Sequence, residues 1–409
     1  MRVSNNLQSI YRLNITSKLN KKTKSLQFLP KCLDSISTKK TIIYNGEKIK
    51  SAYLIDIVHN LILKYYFKKE NKFIINAMVL KDKYGYLYKH YIDYLVENKI
   101  ISLLCNYKKG VSSRIYSLNP QIFKDKIKRT KNEDKVLIKK YKKKVFDTID
   151  FIESEKSIIN PLIREKLISD LFSIDIEFER SLFYLDMLKK EDVDIYNRNV
   201  YSVESINDKH IFYHFDNYGR MHTNFTILKS FIRKNCLMID GEETCELDIK
   251  NSQPLFLCKL IYDSKTKWVK EEEFELFKQL TTSGNYYQYF MQITGEKNKK
   301  VIKELTYKVL FGRNVINSKA DKVFSLVFPT IYNFIKLYKK ENGDYKILAH
   351  DLQRAESKLI YNKIIKKIML IYPEVKIVSV HDSIIFPISY KDKIQYIFDN
   401  EIKKEFELV

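Results

Sequence analysis

The sequence predicts an α+β protein of several domains, and three observations carry that expectation. Over residues 201–409, strand-like and helix-like segments alternate irregularly, without the βαβ rhythm of a doubly wound sheet. Residues 51–120 show helical periodicity followed by a short strand–turn–strand run. The chain has 409 residues, 45% hydrophobic and 30% charged, which suits packed cores and excludes a disordered or collagen-like chain. At roughly 100–200 residues per domain, two to four domains are expected.

Residues 1–50 read as a basic arm, with Lys18, Lys21, Lys22, Lys24, Lys39 and Lys40. Next, Ser51 to Phe67 places Leu54, Val58, Leu61 and Tyr65 at helical spacing, and Asn76 to Lys83 suits a second, shorter helix. Tyr86 to Asn98 predicts a third, with Leu87, Tyr91, Tyr94 and Leu95 on one face. Ile100–Leu104 and Arg114–Leu118 then read as strands around a turn at Gly110. Helices followed by a basic hairpin resemble a winged helix, whose third helix would present Lys83, Lys89 and His90 to DNA. Such a module can equally pack on a neighbouring domain or bind protein. Residues 121–200 predict a charged helical region, since Lys124 to Lys144 holds eleven Lys or Arg.

The charge sum is 73 Lys+Arg against 50 Asp+Glu, a net +23, which points to a polyanionic partner such as nucleic acid. A Lys-rich solvated surface would give the same sum. Cys32, Cys105, Cys236, Cys245 and Cys258 form no CxxC and no zinc-ligand spacing, as expected of reduced thiols in the cytoplasm. Met1–Thr16 lacks the apolar stretch of a signal peptide, and no apolar run nears the ~20 residues of a membrane span.

Residues 201–409 carry the chemistry. Asp248 ends a strand-like run and is followed by Ile249-Lys250-Asn251-Ser252-Gln253. Asp382 sits between two β-rich runs in Val378-Ser379-Val380-His381-Asp382-Ser383-Ile384, as at a hairpin tip. Strand-borne carboxylates make a rigid site for divalent metal, and two of them can hold two Mg²⁺ for in-line phosphoryl transfer. Between them, Lys299, Lys303, Tyr307 and Phe311 recur at steps of four, so one helix face would offer two cations and two rings. An ordinary amphipathic helix has the same pattern.

Together these blocks resemble the palm and fingers of a family A, bacterial polymerase I-like nucleic-acid polymerase, over residues 212–390. Asp248 to Gln253 is similar to its motif A. Lys299, Lys303, Tyr307, Phe311 and Gly312 are in register with motif B, and His381-Asp382-Ser383 with motif C. Tyr218-Gly219-Arg220 and Leu352-Gln353-Arg354 resemble two further blocks, in the family's order. The resemblance implies a right-hand polymerase fold with residues 121–200 as a helical thumb-like region. It implies two Mg²⁺ ions, or Mn²⁺, held by Asp248 and Asp382 with the Ile249 carbonyl. It makes Lys303 a catalytic cation, and Lys299, Tyr307, Phe311 and Gln253 nucleotide contacts. Arg220, Gln353, His381 and Gly312 would contact the nucleic acid.

The partners implied are a DNA template, a primer and nucleoside triphosphates, with no membrane. Gln253 stands where the family's DNA polymerases carry a Glu that blocks the ribose 2′-hydroxyl, Phe311 replaces a Tyr, and Ser383 matches single-subunit RNA polymerases. Tyr307 and the Arg220 and Gln353 blocks favour DNA synthesis. The expectation is therefore a DNA polymerase of a plasmid, phage or other mobile element. The alternatives are a primase or single-subunit-type RNA polymerase, a non-catalytic winged-helix replication initiator, and a two-metal nuclease.

Overall fold

Strands distant in the chain assemble the main sheet. The computed structural model describes residues 25–68, 70–108, 113–140, 158–189, 192–314 and 318–406. The strands are β1 (Ser25–Pro30), β2 (Thr41–Tyr44), β3 (Glu47–Lys50), β4 (Lys72–Ile74), β5 (Ile101–Cys105), β6 (Ile115–Leu118) and β7 (Ile127–Asn132). They continue with β8 (Ile174–Ile176), β9 (Tyr213–Phe215), β10 (Met221–Thr223), β11 (Leu237–Ile239), β12 (Glu242–Asp248), β13 (Val378–Val380) and β14 (Ser383–Pro387). The five-stranded sheet has the order β13-β14-β12-β11-β8, with every pairing antiparallel. Helices and four smaller sheets make up the rest, a mixed α+β architecture as the irregular alternation suggested. Its β13 and β14 positions are all buried, so this end of the sheet is clamped on both faces.

A buried ion pair sets the approach to β13. Lys166 and Asp170 pair one turn apart on the buried helix Pro161–Leu171. Lys166 also donates to the Val375 carbonyl at 2.7 Å, and the Ile377 N–H donates to Asp170 at 2.9 Å. Burial lowers the Lys166 pKa and raises that of Asp170, each opposed by its partner.

Residues 51–118 fold as three helices and a sheet: α1 (Ser51–Lys68), α2 (Ala77–Tyr84), α3 (Tyr88–Glu97) and the strand order β4-β6-β5. Asn76 caps α2 by accepting from the Met78 N–H at 2.8 Å. The turn expected at Gly110 lies outside the described residues.

Three expectations need correction. Residues 25–50 are no loose arm. There β1 pairs with β7, with Phe28 and Leu29 fully buried, and β2 and β3 form a hairpin. The N-terminal residues 1–24 lie outside the described residues. The 121–200 region is not wholly helical, because β7 and β8 fall inside it, while residues 141–157 are outside the described set. Its charge run is partly neutralised at home: Lys128 pairs with Asp34, and Arg129 with Glu204 and Asp208. Finally, α3 does not present Lys83 and His90. Lys83 turns inward to the buried Asp56 at 2.6 Å. His90 and Tyr94 lie under the Tyr44 ring of the β2–β3 hairpin. Of the three residues only Lys89 is exposed, beside the exposed Asp93 and Glu97.

Candidate active site

Period-two alternation places Glu246 and Asp248 on one side of β12. Asp248 pairs in register with Ser383, and the Ile249 N–H donates to the Asp382 carbonyl at 3.2 Å. His381 makes the β13–β14 turn with φ 55°, a left-handed conformation. Two residues 134 positions apart (382 − 248) are thus held side by side at one end of the sheet, close enough for each charge to act on the other.

The pair is electrostatically costly. Asp248 is exposed at the end of β12, yet loss of hydration among the surrounding groups, then the charges of Asp382 and Glu246, push its pKa up to about 7, against the pull of Lys303. Asp382 is also raised, by burial, with Arg220 and Lys303 opposing. Glu246 is ion-paired and largely withdrawn from solvent. It accepts from Arg233 at 2.8 Å and from the Ser383 hydroxyl at 2.9 Å, and its other carboxylate oxygen is buried with no hydrogen-bond partner.

Helix α4 (Ser252–Ser264) starts straight after this strand, and α5 (Lys299–Phe311) packs nearby. Ile302, Thr306, Val309 and Leu310 bury one face of α5. The other face carries the four residues expected to share it. Lys299 and Lys303 are exposed, and the Lys303 ammonium lies 5.6 Å from the Tyr307 ring centroid. Tyr307 stacks on Phe311 with centroids 5.3 Å apart. Lys299 sits 5.8 Å from the Tyr287 ring. The Lys303 charge reaches both aspartates, and Tyr307 feels that of Asp382. Gly312 ends α5, where a Cβ would overlap the Lys308 carbonyl oxygen. The buried Lys339 caps that end by donating to the Val309 and Gly312 carbonyls at 2.6 and 2.9 Å.

The turn carrying Arg220 joins β9 to β10. Asp216 accepts from the Tyr218 and Arg220 N–H groups, each at 2.9 Å, and from His222 at 2.8 Å. His222 packs edge-on against His381, with ring centroids 5.6 Å apart. Burial, then the positive charge of Arg220, lowers the His381 pKa to about 4, so its ring is neutral at pH 7. Its Nδ1 is buried without a partner.

Sequence reasoning missed Glu356, on α6 (Ile347–Ser357) and 1% exposed. It accepts from the Arg220 Nε at 2.9 Å and from Nη2, from the Ser252 hydroxyl at 2.6 Å, and from the Gln253 amide. The signal was a carboxylate on the apolar stripe of Leu348 and Leu352, at helical spacing. Gln353, one turn earlier on α6, is half-buried and makes no hydrogen bond to the aspartates. The structure therefore gathers Asp248, Asp382, Lys303, Tyr307, Arg220, His381 and Gln253 around one centre, with Lys299, Phe311 and Gly312 along α5.

The donor set suits a hard divalent cation. Two adjacent carboxylates with raised pKa values and an orphaned Glu246 oxygen would all be relieved by positive charge. Among the described residues no group of three or more His, Cys, Asp or Glu side chains is arranged to hold a metal, so water and substrate oxygens would complete the shell. All five cysteines are free, and no described helix is long and apolar enough to cross a membrane. No protein-family model matches the chain. No curated protein matches it either.

Proposed function

We propose that the chain is a template-directed nucleotidyltransferase with a family A-like palm and fingers, acting as a DNA-directed DNA polymerase. One observation carries this reading. Two aspartates, one ending β12 and one in the β13–β14 turn, meet at one end of the main sheet, and a helix aligns a lysine and two stacked rings near them. A nuclease would need the carboxylates but not the cation–aromatic face.

Asp248 and Asp382 hold the divalent cations, which when bound supply the positive charge that favours attack by a primer 3′-hydroxyl and departure of pyrophosphate. The exposed Lys303 places its ammonium where a triphosphate would lie, and neutralises charge developing on the leaving group. Lys299, one turn earlier, holds the outer phosphates as a point charge rather than a bidentate fork. Tyr307 and Phe311 give a flat apolar wall for the sugar and base. Neutral His381 supports the primer end without adding a positive charge beside the cations.

A second reading has its own support. Residue 253 is a Gln, with its amide nitrogen donating to Glu356, and so carries no carboxylate of its own to exclude a 2′-hydroxyl. Ribonucleotide incorporation, as by a primase, is the outcome this favours. Residues 51–118 have the helix and strand order of a winged helix. With α3 covered by the β2–β3 hairpin, we read the module as a packing or protein-docking element before a DNA reader.

The test is Mg²⁺-dependent extension of a labelled primer on a DNA template, with dNTPs or rNTPs. dNTP incorporation supports the first reading, and preferential rNTP incorporation the second. DNA binding without any extension would overturn both and favour a replication initiator.

A further inference from the structure

A buried carboxylate is costly, so what it serves is informative. Glu356 bonds no backbone N–H and closes no helix or strand. Its partners are Arg220, Ser252 and Gln253, side chains from two other segments that border the aspartate pair. Its own charge is also repelled by that of Asp382. A leucine would continue the apolar stripe of α6 at lower cost. The approach is built in on the other side too. Gly219 holds φ 86°, and a Cβ there would come within 3.3 Å of the Ser357 Cβ, so the Arg220 turn lies directly against α6.

The arrangement also orients what it binds. The guanidinium gives Nε and Nη2 to Glu356, which leaves Nη1 for another acceptor. Gln253 gives its amide nitrogen, so its carbonyl oxygen is left, buried and without a partner. We propose that Glu356 is a positioning residue for strand extension: it fixes Arg220 toward the nucleic acid and Gln253 toward the incoming nucleotide in one shared frame. This rests on the nucleotidyltransferase reading above. A residue that acts this way sets the binding of two different substrates through two different side chains.

The test is steady-state primer extension by Glu356→Gln, Arg220→Ala, Gln253→Ala and the two double variants containing Glu356→Gln. The isosteric Gln keeps the shape but turns one acceptor into a donor facing donors. It is expected to raise KM for primer–template and KM for nucleotide each about tenfold, with kcat within about threefold. In the Arg220→Ala background, Glu356→Gln should no longer affect KM for primer–template. In the Gln253→Ala background it should no longer affect KM for nucleotide. Glu356→Asp, which keeps the charge, should recover part of both losses. Wild-type kinetics in Glu356→Gln, effects that simply multiply in the doubles, or a Glu356→Gln protein that fails to fold would each overturn the proposal. Absence of extension by wild type would instead remove the function on which it rests.

Discussion

Asp248 and Asp382 repel each other at one end of the main sheet, and that repulsion has a measurable sign. The folded pKa of Asp248 lies near 7, above the unfolded carboxylate value near 4. As pH rises from about 4 to 7 the unfolded chain releases a proton that the folded one keeps, so without metal this group lowers stability across that window. Asp248→Asn is therefore expected to raise the melting temperature at pH 8 and leave it nearly unchanged at pH 4. Mg²⁺ should stabilise wild type more at pH 8 than at pH 6, and lose that effect in the Asn variant. Thermal scans at these pH values check both. At this scale the site was largely legible. Asp248, Asp382, Lys303 and Tyr307 stand in short local patterns, and local patterns survive folding. Glu356 was not legible, because its partners come from two segments that only the fold brings beside α6.

Elements position these residues through a few buried polar ties. Lys166→Met would leave the buried Asp170 with only the Ile377 N–H and the looser Lys376 contact at 3.8 Å, under the loop leading to β13, and is expected to cost at most about 3–5 kcal/mol in urea unfolding. Replacing both partners with apolar residues should cost less than the single change. Gly312→Ala meets the Lys308 carbonyl and must shift the end of α5, at a cost of about 1–3 kcal/mol and with reduced extension activity. Circular dichroism with a primer-extension assay separates the two effects. Helices α1, α2, α3 and α5 were readable to within about two residues, since their periodicity is contained in the segment. The β1–β7 pair was not, because strands so far apart leave no mark on each other's sequence. The β2–β3 hairpin hid α3 for the same reason.

For the whole molecule, the net +23 bears on the nucleic-acid partner proposed above. DNA affinity is expected to fall steeply, by at least about tenfold between 50 and 200 mM salt. Lys89→Glu should leave that affinity within about twofold, because its exposed neighbours on α3 are acidic and the module is proposed to pack or dock protein rather than read DNA. Fluorescence anisotropy across a salt series measures both, and a large loss on Lys89→Glu would restore α3 as a DNA-reading helix. The proposed polymerase needs Asp248 and Asp382, 134 positions apart (382 − 248 = 134), to act as one catalytic unit. The most direct test of this is single-turnover primer extension by Asp248→Ala, Asp382→Ala and the double variant. Each single change is expected to lose at least ~10³-fold in rate, and the double change little more than either alone. Extension that survives either change, or losses that multiply in the double variant, would contradict it.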